Sequence, residues 1–428
     1  MIYSKELAES KVYDVVVCGC GVAGFTAAVQ AGRLGADVCL IEDTGMPGGI
    51  LTFGGNNEIA LFNAGSKPVI RGIGWEFVQR LNEAGYANIP EMNDGIHHSL
   101  QGVHVNIPMA AHLMDEMLLE AGVKILYNHR IADSITQNNK VTGVVVSTKQ
   151  GLKVIKGRQF VDCTGDGDVA YFSGAEYEIG DELQPGTLRF YPTGYDVKDI
   201  KRESVIESLR QAIQKGEVKR EDFWSGVDQA HSAFSKYGNN INHVDINNAD
   251  SESRSAAEIE GRRSIARLYK WMKSQEGAQS LEILSCAPNV AARESRRIIG
   301  NTYITVEDYV SGKKYPDSIC YSYYPIDLHK NGDDTLHNIF LEKGCLPTIP
   351  FSALQVKGFE NLMVAGRCVG GDRLAHSAYR VKASCMAMGQ AAGAAAALAS
   401  LKSLPICKVK LDDVKDALVK NNAIVPEN

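Results

Sequence analysis

The stretch DVVVCGCGVAGFTAAVQAGRLGADVCLIE, residues Asp14–Glu42, decides the fold. An apolar β-branched run, Val15–Val17, meets Gly19, Gly21 and Gly24 in G-x-G-x-x-G spacing. A small-residue helical stretch follows, then a second apolar strand, Val38–Ile41, then Glu42. Gly19 permits the tight turn out of the strand, Gly21 lets backbone approach a pyrophosphate, and Gly24 lets the helix pack close to the sheet. The helix N-terminus presents free N–H groups and the positive end of a dipole. A carboxylate at Glu42 is placed to accept hydrogen bonds from a ribose diol. Strand, helix and acid at these distances predict a dinucleotide-binding βαβ unit rather than a bare glycine-rich turn.

Outward from this unit, 428 residues exceed one ordinary core and predict two domains. The hydrophobic share of 44% and charged share of 22% are those of a soluble globular chain. A net charge of −6 without blocks of like charge predicts no nucleic-acid partner. The N-terminus MIYSKELAESKVYD lacks a signal-type apolar core. Cys385–Leu401, CMAMGQAAGAAAALASL, is Ala- and Gly-rich and reads as a buried helix, so no membrane span is expected. Ten scattered cysteines show no C-x-x-C and no zinc or iron–sulfur spacing, which predicts reduced thiols, no metal and a cytoplasmic setting. Cys20, beside the fingerprint and the expected pyrophosphate, is either a packing residue or a catalytic or flavin-linking thiol.

Helical periodicity recurs at Gly74–Ala84 and Asn106–Ala121, and alternating strands at Lys140–Lys149 and Lys153–Phe160 flank a Gln150–Gly151 turn. Phe160–Asp168, FVDCTGDGD, is another strand ending in a Gly/Asp turn. From about Ala175 to Cys345 polar helical segments dominate, including Ile200–Lys215 and Ser253–Gln275, with strand-like pieces at Leu281–Ser285, Arg297–Ile304 and Ile319–Tyr324. Leu362–Ala365 restores a buried strand, and Gly366–Ala399 a glycine turn and long helix. The expected organisation is discontinuous: residues 1–175 and 346–428 form the dinucleotide domain, 176–345 an inserted domain over the substrate, and 55–100 an additional cover.

FAD and NAD both use the fingerprint. A single N-terminal copy, the glycine-rich loop after Glu42, and two late strand-to-glycine turns at Val161–Asp168 and Leu362–Asp372 favour the longer FAD. With these motifs in view, the chain resembles the FAD-dependent oxidoreductases of the glutathione-reductase-like superfamily, related to fumarate reductase and succinate dehydrogenase flavoproteins. The matching pieces are GMPGGILT, VDCTGDGDVAYFSGAEYEIG, EIEGRR, ARESRRIIGNTYIT, YPIDLH, IPFSAL, LMVAGRC and AHSAYRVKASCMAMGQAAGAAAALA, besides the fingerprint.

The resemblance implies an α/β fold: a Rossmann-like, three-layer FAD-binding domain of parallel sheet plus β-meander, with an inserted α+β domain. It also implies that Gly19, Gly21, Val22, Ala23 and Gly24 hold the pyrophosphate and that Glu42, with Asp43, holds the adenine ribose. Gly48, Gly49 and Thr52 would line the adenosine-to-flavin side, and Thr164, Gly165 and Asp166 the pyrophosphate or adenine end. Gly366, Arg367 and Gly370–Asp372 would lie along the ribityl and flavin. A helix starting around Ala387–Gln390 would aim its N-terminal dipole at the flavin.

The flavin supplies the hydride step at N5, so the protein must bind a polar substrate and move a proton. His376, between the last glycine turn and the terminal helix, is the candidate acid–base; the alternative is a histidine bonded to the ribityl chain. Arg380, four residues on, is placed either for a substrate carboxylate or flavin O2, or for a surface ion pair. In ARESRRI, an extended backbone puts Arg293, Ser295 and Arg297 on one side and Glu294 and Arg296 on the other. These arginines suit either an anion or an ion-pair network with Glu258 and Glu260. Tyr324, Asp327 and His329 of YYPIDLH either line the substrate cavity or form a polar turn. The expected function is hydride transfer between flavin and a small polar metabolite (a sugar, hydroxy acid or unsaturated acid), with an external electron partner. A flavin monooxygenase, an NAD-dependent dehydrogenase and a non-enzymatic FAD-binding protein are the alternatives.

Overall fold

The computed structural model describes residues 6–235, 240–330 and 337–427. The fingerprint folds as strand β1 (Ala8–Cys18), helix α1 (Val22–Arg33) and strand β2 (Val38–Ile41). After the amphipathic helix α2 (Ile107–Glu120), capped by the Asn106 side chain on the Met109 N–H at 3.2 Å, comes β3 (Lys124–Leu126). A meander follows: β4 (Arg130–Gln137), β5 (Lys140–Thr148) and β6 (Gly151–Asp162). Late in the chain β7 (Leu362–Val364) returns to the sheet.

β3, β2, β1, β6 and β7 run parallel in that spatial order, with Cys18 opposite Ile41 and Asp162, and Phe160 opposite Leu362. β5 pairs antiparallel with the first half of β6, while β7 pairs with its last three residues. The meander therefore leaves one edge of β6 before β7 joins it. Buried on both faces, β2 and β7 are wholly apolar, as a covered parallel sheet requires. The C-terminal ends of the parallel strands lie along one edge, where open α/β sheets bind ligands.

The chain then enters helix α3 (Ser251–Lys273) and, beyond β7, helix α4 (Arg373–Tyr379) and helix α5 (Lys382–Leu401). α5 starts at Lys382, five residues before the expected Ala387, because Val381 is extended and already serves as its N-cap. α5 lies against α1. A Cβ on Gly389 would sit 2.0 Å from the Ala23 carbonyl oxygen, and one on Gly393 2.1 Å from that of Ala27. This helix is long and apolar enough to cross a membrane, but 83% of its apolar window is buried inside the molecule.

Two apolar clusters form. The first unites the sheet, α1, α2, α5 and residues Ile298–Val356. The second gathers Leu188–Ala292 around α3, a helix at Arg202–Gln214, and the antiparallel pair Phe190–Thr193 with Glu282–Cys286. The expected strand Arg297–Ile304 shrinks to Arg297–Ile298, paired with Tyr177–Glu178. The architecture is α/β: a Rossmann-like domain with an inserted α+β element.

Candidate active site

A cavity of about 410 Å³ opens where the parallel strands end. The first part of its wall comes from the fingerprint: Gly19, Gly21, Val22 and Ala23, with Glu42 and Asp43 after β2. Gly19 has φ +92°, and a Cβ there would be 2.4 Å from the Cys163 carbonyl oxygen, so the turn requires glycine. Gly21 is different: a Cβ would meet nothing within 4 Å and would only project into open space. α1 has no side-chain cap, so no side chain at its N-cap takes the first-turn N–H groups. Glu42 is buried and accepts from the Cys20 N–H (2.7 Å), the Thr44 N–H (2.8 Å) and the Thr44 hydroxyl (2.9 Å). Burial raises its carboxyl above the usual range, against these bonds.

Gly48, Gly49, Thr164, Gly165 and Asp166 continue the wall, with Gly366 and Arg367 after β7. Asp162, which sequence reasoning missed, organises the second turn: it accepts from the Thr164 N–H (3.0 Å) and hydroxyl (2.7 Å) and from the Ala170 N–H (2.9 Å). Burial pushes its carboxyl up to about 6. Arg367 pairs with Asp166 at 2.8 Å and donates to the Ser295 hydroxyl at 2.9 Å.

The remaining charged residues of the wall are mostly cationic. Arg293, Arg380, Tyr324, Asp327 and His329 line it, joined by Arg189, Lys382 and Glu58, which sequence reasoning missed. Arg293 is buried and donates to the Pro185 carbonyl, the Thr187 hydroxyl (3.2 Å) and Asn240 Oδ1 (3.1 Å), all neutral acceptors. Burial, with Arg380 beside it, lowers Arg293 to about 9. Arg380 donates to Gln184 Oε1 at 3.2 Å, and its Nε has no partner. Lys382, the first residue of α5, donates to the Glu58 carbonyl at 2.7 Å; burial and then Arg189 pull its ammonium down to about 7. Burial would raise Asp327, but His329, Arg380 and Arg293 outweigh it and hold the carboxyl down to about 2.

Seven expected site residues lie off this wall. His376 is fully buried, its Nε2 held on the Arg367 carbonyl at 2.6 Å, because α4 turns it toward the core. Arg297 spends its Nε on the Gly371 carbonyl (3.1 Å) and faces Glu178 at 3.5 Å. Asp372 caps α4 through the Leu374 N–H at 2.8 Å. Ala387 and Gln390 sit inside α5; Gln390 accepts from the Ile73 N–H (3.1 Å) and donates to Gln30 (2.9 Å). Thr52 bonds the Pro47 carbonyl beneath Gly48, and Gly24 is pressed on the Gly19 carbonyl. Cys20 is also off the wall, and burial raises its thiol well above the ordinary value.

The ARESRRI segment does not alternate. Glu294 takes Arg373 (2.9 Å), Arg296 takes Asp168 (2.9 Å) and stacks on Tyr171, and each neighbour finds a separate partner. The expected network with Glu258 and Glu260 is absent among the described residues; those acids pair with Arg262, Lys219 and Arg267 instead. Arg189 had a legible signal, since it alternates with Leu188 and Phe190, which face the second cluster.

Residues 14–418 match the family described as FAD dependent oxidoreductase. No curated protein sequence matches the chain. Among solved structures, a geranylgeranyl bacteriochlorophyll reductase-like protein from Thermoplasma acidophilum is 13% identical over 97% of this chain and 83% of that chain, with a TM-score of 0.44. A flavin-dependent brominase is 13% identical over 96% and 84%, at 0.46. L-proline dehydrogenase from P. horikoshii is 12% identical over 97% and 99%, at 0.39.

Proposed function

Because the chain belongs to the FAD dependent oxidoreductase family, we propose that it transfers hydride between flavin N5 and a small organic acid, a hydroxy acid or an unsaturated acid, in preference to a neutral sugar. The observation that carries this reading is Arg293: a buried guanidinium on the cavity wall whose bonds all go to neutral groups. Around it, among the described residues, Arg189, Arg380 and Lys382 face Asp327, Glu58 and Glu294, and Glu294 already pairs with Arg373. A buried excess of positive charge is relieved by an anion, and a carboxylate matches the guanidinium fork.

The residues present fit the cofactor. Open space over Gly21, uncapped N–H groups of α1 and the Glu42 carboxylate form a cradle for a pyrophosphate and ribose. We assign Gly19, Gly21, Val22 and Ala23 to the pyrophosphate and Glu42 and Asp43 to the ribose. Gly48, Gly49, Thr164–Asp166, Gly366 and Arg367 would hold the rest, with the N-terminus of α5 and Lys382 favouring negative charge beside them. When bound, FAD accepts or gives a hydride, two electrons with one proton. Arg293 and Arg380 orient the acid, and the surrounding wall excludes water from it. We also place the cofactor half at 1–175 and from about 297 onward, and the substrate cover in the second apolar cluster. That return precedes the Cys345 boundary read from sequence and is supported by the packing of Ile298–Val356. The closer kinship to fumarate reductase-type flavoproteins rests on the quoted motifs.

Anaerobic mixing of FAD-loaded protein with hydroxy acids, and of the reduced protein with unsaturated acids, tests the reading. A change of flavin absorbance with an acid and none with neutral sugars is expected. Bleaching by sugars alone would sink it.

A further inference from the structure

We infer that Lys382 is the base that takes the hydroxyl proton of a hydroxy acid, an inference that rests on the acid reading of the cavity. Lys382 is the first residue of α5 and stands on the cavity wall, with Arg380 and Val381 before it. Its Nζ donates to the Glu58 carbonyl at 2.7 Å, and the Ala383 N–H donates to the Ala60 carbonyl at 3.3 Å. The short strand Glu58–Ile59 is thereby tied to the start of the helix, and the amine is fixed in place.

The position favours the free amine over the ammonium. A helical side chain leans toward the N-terminus of its helix, so Nζ lies at the positive end of a 20-residue dipole that no side chain caps. Among the described residues its one hydrogen-bond partner is a neutral carbonyl, and no carboxylate forms an ion pair with it. The Glu58 carboxylate is turned onto Gly102 instead, where a Cβ would meet its Oε1 at 2.1 Å. The charged and titratable groups around the amine are Arg189, Glu58, Cys385 and Arg380, two of them guanidinium cations. Burial and then Arg189 bring Lys382 to about 7, so amine and ammonium are both populated at neutral pH.

The other wall groups suit the task less well. Cys385 donates its thiol to the Arg380 carbonyl at 3.1 Å, and burial pushes it up to about 12. Burial raises the Tyr324 phenol well above its usual value, and it lowers His329 to about 4, a weaker base than the amine.

A neutral amine has two N–H bonds and one lone pair. One N–H goes to the Glu58 carbonyl, which leaves the lone pair for a proton. Arg380 and Lys382 stand two residues apart on the wall. An acid whose carboxylate is held at Arg293 and Arg380 therefore carries the hydroxyl on its neighbouring carbon toward the amine. The O–H bond breaks with its electron pair left on oxygen, and the Nζ lone pair forms the new N–H bond. The oxygen pair closes the C=O double bond as the C–H pair leaves carbon as the hydride of the proposed transfer. The alcohol is oxidised by two electrons, and its proton stays on Lys382, where the Glu58 carbonyl accepts a charged hydrogen bond.

The test follows anaerobic bleaching of FAD-loaded protein by 2-hydroxy acids across pH. Wild-type bleaching should rise with pH through one limb near neutrality, since the free amine is the active form. Lys382→Arg keeps length and charge, and should slow bleaching at least about 100-fold and remove that limb. In Lys382→Ala, added ethylamine should restore bleaching at least about tenfold, in proportion to its free base. A residue that only shapes the helix start would leave the limb in place and would not answer to ethylamine. Independently of turnover, one ¹³Cε resonance of lysine-labelled, FAD-loaded protein should vanish in Lys382→Arg. It should titrate at least about two pH units below the usual ~10.4. Titration with the other lysines, a limb retained in Lys382→Arg, or no response to ethylamine overturns the base and leaves the acid reading standing. Bleaching by no hydroxy acid also overturns the base. Reduced protein that no unsaturated acid reoxidises either would overturn the acid reading itself.

Discussion

Gly21 and Gly24 differ by what one methyl group would meet. On Gly24 a Cβ would sit 1.8 Å from the Gly19 carbonyl oxygen, whereas on Gly21 it would meet nothing. Gly21 has φ −65°, which any residue adopts. Gly21→Ala is therefore expected to fold with a stability change within about 0.5 kcal/mol while losing its flavin. Thermal melts of the apo protein and the flavin-to-protein absorbance ratio after desalting check both halves. Gly24→Ala should fail to give folded protein at all. At this scale the sequence was most legible where a residue's job is backbone geometry. It misled where orientation decides: His376 lies beside a glycine turn in sequence but faces the core, while His329 reaches the cavity. No local spacing announces that His243 is its neighbour, because Asp327–His329 and His243 are joined only by tertiary packing.

Among elements, the α1–α5 contact is the tightest constraint. Gly389 and Gly393 are one turn apart and admit the α1 backbone where any side chain would collide with the Ala23 and Ala27 carbonyls. Gly389→Val is expected to cost about 3 kcal/mol or more, read as a lower midpoint in urea with flavin retained poorly in what folds. Arg293→Ala, in contrast, should leave the helices in place. Its expected effect is a KM for the acid raised at least about tenfold, from a charged hydrogen bond of ~1.5–3 kcal/mol, with steady-state kinetics as the check. The helix α5 was evident from its Ala and Gly content, yet its start was not. Lys382 looks like a loop residue by composition, and only the extended Val381 before it shows that the helix begins there. That shift matters, since Val381, Lys382 and Cys385 line the cavity while Ala387 and Gln390 do not.

Over the whole molecule, buried histidines set an acid limit. Burial lowers His243 to about 2, His376 to about 3 and His329 to about 4. In the unfolded chain each returns to about 6.5. Between these values the unfolded state binds more protons, so stability present above pH 6.5 is lost as pH falls. At pH 5 the loss is about 2 kcal/mol per histidine. Asp327, held low, withdraws its own contribution only in the more acidic window between about 4 and 2. A melting temperature that falls steadily from pH 7 to pH 5, and less so in His376→Gln than in wild type, is the expected result by calorimetry. At this scale the parallel sheet, its late completion by Leu362–Val364 and the inserted α+β element were readable from alternation and glycine turns. The cationic wall was not, because Arg189, Arg293 and Arg380 are brought together from separated segments.

The central claim is that one cavity joins a flavin to an acid-binding wall. Titration of malonate into the FAD-loaded protein, followed in the flavin absorbance band, measures that directly. A saturable spectral shift is predicted, weakened at least about tenfold in Arg293→Ala and absent with neutral sugars. A flavin spectrum that malonate leaves unchanged, or that responds equally in Arg293→Ala, would contradict the account.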